Sequence, residues 1–120
     1  MRFLMFIKHG ETSEAVQPPK GLMDAMGGFV GEGFQKGWLK ETGGLKGSSE
    51  SRRIRSKGGK LTVTDGPFAE TKEVVGGYAI VQVKSKEEAL DIARRFMELH
   101  RIHWPEFECE SEVREIEELS

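Results

Sequence analysis

A single cysteine, Cys109, stands in this chain of 120 residues, which excludes a disulfide within one copy. Long apolar runs are missing too. The apolar opening Met1–Ile7 is too short for a membrane-spanning helix or the core of a secretory signal. Both absences lead us to expect a cytoplasmic protein in a reducing compartment. No excess of positive charge exists: the net charge is −2, which argues against nucleic acid as a partner for the whole surface. No internal repeat and no linker separating domains is found, so residues 1–120 are read as one domain.

What is present is a set of short periodic segments. From Arg2 to Lys8, Phe3, Met5 and Ile7 share one side of a strand and Leu4 and Phe6 the other; Tyr78 to Val83 is apolar on both sides in the same way. These read as central strands, buried on both faces. After Pro18 and Pro19, the spacing of Leu22, Met23, Met26, Val30 and Phe34 predicts a helix that ends near Gly37. A short strand is expected within Trp38–Leu45. Arg52–Ser56 and Lys60–Thr64 flank Lys57-Gly58-Gly59 and predict a β-hairpin.

Ser85-Lys86-Glu87-Glu88 has the form of a capping box, in which Ser85 accepts from the amide of Glu88 and Glu88 from the amide of Ser85. The helix it starts carries Ala89, Ile92, Ala93, Phe96 and Met97 as its apolar stripe, and Pro105 stops it. A last strand is expected between Phe107 and Ile116. The resulting order is α+β, a βαββαβ plait with an inserted β-hairpin. Two helices cover one face of such a sheet, so the apolar second face predicts a homodimer.

The densest chemical signal is Asp65-Gly66-Pro67-Phe68-Ala69-Glu70-Thr71-Lys72-Glu73. Asp-Gly-Pro is a rigid turn whose aspartate accepts local amide bonds, and Phe68 is placed to anchor it. This run, the Gly76-Gly77-Tyr78 strand, the capped Ser85–Ala89 helix start and the closing Glu112–Ile116 strand together resemble the YCII-related protein family, and its DGPF subgroup in particular. The resemblance implies a ferredoxin-like plait that dimerises into an α+β barrel. It also implies distant kinship with muconolactone-isomerase-type and chlorohydroxyhydroquinone-dehydrochlorinase-type enzymes, and a genomic association with extracytoplasmic-function sigma factors. Better-understood relatives pair a histidine on the first helix with an aspartate. Here that helix has Asp24 and no histidine, so the dyad is not carried over, and Asp65 is the residue the motif marks.

Chain topology makes the first two strands run the same way, so it should gather His9, His100, His103, Asp65 and Glu70 at one end of the sheet. Asp65, His9 and Glu70 are therefore the candidate acid/base residues, and Arg52, Arg53, Arg55 and Lys72 the candidate holders of a small anionic ligand. His100 and His103 share a helical face, but no further ligand stands at a recognised metal spacing, so neither a metal nor a cofactor is expected. Three roles follow. One is a cofactor-independent acid/base enzyme acting on a small anionic, aromatic or lactone-like molecule. Another is a small-ligand or partner-binding module linked to transcriptional regulation. The last is a structural dimer in which Asp65 only closes a turn.

Overall fold

The computed structural model describes residues 1–10, 17–68 and 73–118, the side chains of residues 73 and 74 excepted. Among these residues six strands and two α-helices follow in the expected order, with one 3-10 turn at Ser48–Glu50: β1 Arg2–Gly10, α1 Lys20–Lys36, β2 Leu39–Gly44, β3 Arg52–Lys57, β4 Lys60–Asp65, β5 Glu73–Gln82, α2 Lys86–His103 and β6 Cys109–Glu115. Four strands form one antiparallel sheet in the order β2-β5-β1-β6, while β3 and β4 form a separate two-stranded sheet. The doubly apolar strands β1 and β5 are central as expected, but within one chain only their helix-side face is buried. The architecture is α+β and compatible with a ferredoxin-like fold.

Alternation along β1 decides which side meets the helices. Phe3 and Met5 are buried there with Leu39, Val81, Val83, Ala89, Ile92 and Ala93. Leu4 and Phe6 lie on the opposite, uncovered face, together with their cross-strand neighbours Ile80 and Tyr78. Around them Lys8 donates to Glu112 at 3.1 Å, Arg114 pairs with the same carboxylate, and the Tyr78 hydroxyl donates to Glu41 at 2.7 Å.

The Glu112 carboxyl is held below the usual carboxylate range, first by its bond from Lys8 and then by that from Arg114. A depressed folded-state pKa means that these contacts stabilise the fold fully above the ordinary glutamate range and lose their effect as pH falls through the depressed value. Glu112→Gln is expected to flatten the acid limb of a stability-against-pH curve measured by urea denaturation. An unchanged acid limb would exclude the linkage.

Helix α1 is rotated from the expected stripe. Leu22 and Gly33 are buried, whereas Met23 and Phe34 are 52% and 50% exposed. The cause is a close approach at Gly33, where a Cβ would lie 2.8 Å from Leu39 and from the Trp38 ring. By contrast a Cβ at Gly27, Gly28 or Gly31 meets nothing within 4 Å. Alanine at each of these three is expected to raise stability by about 0.5–1 kcal/mol, read as a rise in denaturation midpoint.

At the other helix Ser85 accepts from the Glu88 amide at 3.2 Å as expected, but the Glu88 carboxylate reaches back one residue further and accepts from the Lys84 amide at 2.9 Å. The β3–β4 hairpin closes through Gly58 and Gly59 at φ 58° and 76°, the two positive values of a type I′ turn.

Candidate functional site

Between α1, α2 and the helix-side face of the sheet lies a partly open cavity of about 590 Å³. Its walls are mainly apolar, with Leu22, Met26, Phe29, Trp38 and Phe96 among them, and its floor is the core face of β1 and β5. Basic nitrogen enters it from His9, His100 and Lys46, and no carboxylate is found among its described lining residues. Thr42 and Ser111 are hydroxyl-bearing residues of its lining. A pocket of this size with a few convergent polar groups suits a small organic ligand.

His9 is placed by a bulge. On β5, Ile7 pairs with Gly77 and Lys8 with Val75, which leaves Gly76 as the extra residue opposite them. The His9 ring lies over Gly76 so closely that a Cβ there would be 2.6 Å from Nε2. Only glycine gives the imidazole that seat. Nδ1 is 2.8 Å from the carbonyl of Gly10, and because a carbonyl can only accept, Nδ1 carries the proton and Nε2 keeps the lone pair of the neutral ring. On its other side His9 meets Phe107 at 5.6 Å between ring centroids, and Phe107 stacks on Trp104 at 4.1 Å.

His100 enters from the last turn of α2. It is buried, and its Nδ1 lies 3.1 Å from the carbonyl of Phe96, with the two rings edge to face at 4.8 Å. The same donor argument leaves Nε2 as the acceptor in the neutral form. His100 continues the stripe of Ala89, Ile92, Ala93 and Phe96, so its spacing already placed it on the packed face. Sequence reasoning placed it at that end of the sheet and weighed it as a metal ligand, not as an acid/base or anion-binding residue. Lys46, by comparison, sits at the rim with its ammonium 3.8 Å from Glu50 and its side chain 82% exposed.

The other expected site residues lie elsewhere. Asp65 ends β4 with a 75% exposed side chain, 3.1 Å from the Arg52 guanidinium, and it does not line the cavity. The sheet-end cluster thus holds His9 and His100 but not Asp65. Arg53 lies over the Phe68 ring at 3.7 Å, and Arg55 continues the same strand; none of the three arginines lines the cavity. Glu70 and Lys72 lie outside the described residues. His103 is exposed and rests against the first turn of α1, where a Cβ on Gly21 would be 3.2 Å from Nδ1. Asp24 pairs with Lys20 at 2.8 Å on the outside of α1. Among the described residues no group of three or more His, Cys, Asp or Glu is arranged to hold a metal ion, and no helix is long and apolar enough to cross a membrane.

The Asp65–Phe68 segment instead closes the base of the hairpin. The Gly66 amide donates to the Ser51 carbonyl at 2.8 Å, and a Cβ on Gly66 would fall 1.8 Å from the Ser48 carbonyl oxygen. Phe68 is buried beneath Arg53. Gly66 and Phe68 thus carry packing roles, while Asp65 and Pro67 are exposed.

Comparison with known families matches the YCII-related domain over residues 1–98. The chain belongs to the YCII-related family. Among curated proteins, an uncharacterized protein of Rhizobium meliloti (strain 1021) is 49% identical over 41 residues, covering 34% of this YCII-related chain and 33% of that protein. The YCII match takes in His9, the hairpin, the bulge at Gly76 and α2 as far as residue 98, so the greater part of the cavity wall lies inside the family domain.

Proposed function

We propose that this YCII-related domain binds a small, largely apolar weak acid, such as an aromatic carboxylate or phenolate, in the cavity between α1 and the sheet. The observation that carries the reading is the lining itself, in which three basic side chains and no carboxylate among the described residues meet an apolar and aromatic wall. Inside such a wall an anion gains from each hydrogen-bond donor far more than it would in water. Protonated, His9 and His100 are donors at Nε2; neutral, they accept a proton there.

Both tryptophans of the chain, Trp38 and Trp104, line the cavity, so its occupancy is read directly by intrinsic fluorescence. Titration with benzoate and salicylate is expected to give a saturable change that benzyl alcohol does not, and His9→Ala is expected to weaken it by about tenfold. Equal responses to the acids and the alcohol, or no response to any, would remove this function.

A second reading is supported by the His9 geometry: the Gly10 carbonyl holds the tautomer that a general base needs, so a bound molecule with an acidic C–H or O–H loses its proton to Nε2. Asp65, by its exposure and its pairing with Arg52, takes the turn role in either reading. The Asp65–Phe68 run supports membership of the DGPF subgroup. The uncovered face bearing Leu4, Phe6, Tyr78 and Ile80 favours a homodimer built sheet to sheet, as an α+β barrel requires.

A further inference from the structure

The three most exposed of the large hydrophobic residues are all in the β3–β4 hairpin, Ile54 at 71%, Leu61 at 72% and Val63 at 65%. Register puts them on one side: Ile54 pairs with Val63 and Ser56 with Leu61. The other side carries Arg53 opposite Thr64, Arg55 opposite Thr62 and Lys57 opposite Lys60. Every charged residue from Arg52 to Lys60 is basic. The hairpin pairs with no other strand among the described residues, so the outer backbone edge of β3 is open as well. An open, apolar edge of this kind is a template for strand pairing.

At the opposite edge of the main sheet, β6 is also open on its outer side among the described residues. Here every charged residue from Glu106 to Glu118 is a glutamate except Arg114. The two complementary edges cannot meet within one chain by simple proximity. The hairpin is inserted between β2 and β5, and β6 is the far edge strand, three strand spacings from β2 or roughly 14 Å. Two copies remove the difficulty. When two such sheets face each other about a two-fold axis along the strands, the β2 edge of one copy lies over the β6 edge of the other, twice.

We infer that the hairpin is a docking arm whose β3 edge adds to the β6 edge of a second copy of this chain, reciprocally. Main-chain hydrogen bonds extend each sheet, and Arg and Lys of β3 face Glu of β6 across the new contact. This goes beyond the proposed ligand site and does not depend on it.

The test uses the full chain and two charge-reversed variants, Arg55→Glu/Lys57→Glu in the hairpin and Glu110→Lys in β6, all at exposed positions. Circular dichroism first establishes that each is folded. Sedimentation equilibrium is then expected to give dimer dissociation constants raised about tenfold or more in each variant alone. An equimolar mixture of the two is expected to regain wild-type affinity, because each reversed hairpin then meets a reversed β6. Wild-type affinity in the separate variants, or no recovery in the mixture, overturns the arm contact while leaving a sheet-to-sheet dimer untouched. A wild-type chain that stays monomeric overturns both.

Discussion

Gly66→Ala is expected to lower stability by about 3 kcal/mol, near the top of the range for forcing a methyl group into a packed site. The added Cβ would sit 1.8 Å from the Ser48 carbonyl oxygen and 3.2 Å from that of Ser51. Both are backbone atoms, so no side chain can swing aside. Relief would require moving the Ser48–Glu50 turn away from the hairpin base and breaking the hydrogen bond that the Gly66 amide donates to the Ser51 carbonyl. Asp65→Asn is the companion measurement. Asp65 and Arg52 are 75% and 77% exposed, and a pair in water contributes little, so the change is expected to stay within about 0.5 kcal/mol. Urea denaturation of both variants separates the roles. A costly Asp65→Asn beside a harmless Gly66→Ala would return the aspartate to the centre of the motif.

Trp104→Ala should have an effect of similar size, a loss of about 3–5 kcal/mol for deleting a large buried aromatic. Trp104 is 8% exposed, caps the end of α2 through its amide bond to the His100 carbonyl at 2.8 Å, and stacks on Phe107. Phe107 in turn borders His9, so the deletion removes the support behind one side of the imidazole. Trp104→Phe is expected to keep most of the stability and a seated His9. The histidine is followed by its ring proton resonances, which should move in the alanine variant and hold in the phenylalanine one. If alanine is tolerated at little cost, Trp104 is not the buttress described here.

Within the densest sequence signal, the described residues Gly66 and Phe68 serve packing. Asp-Gly-Pro-Phe reads as a turn with an aromatic anchor, and Phe68 is buried as that reading requires. What the run of ionisable groups suggested beyond this, an acid/base centre at Asp65, depends on where the hairpin sits relative to the sheet. No local pattern reports that position. His100 shows the opposite case: its place on the α2 stripe was legible, yet its chemistry emerged only when α2 was seen to cover the same cavity that His9 enters from β1.

By itself, then, the amino-acid order determined the elements and their sequence. Alternation in β1 and β5, the Ser85 cap, the Gly58-Gly59 turn and the stop at Pro105 are local rules, set by side-chain direction, backbone angles and missing amides. The tertiary structure alone decided the rotation of α1, because that was governed by how closely Gly33 lets the helix approach Trp38 and Leu39. It also decided the site. The bulge at Gly76 seats His9, and Asp65 at the hairpin base is exposed and paired with Arg52, so of the expected proton-transfer residues within the described part His9 lines the cavity and Asp65 faces water.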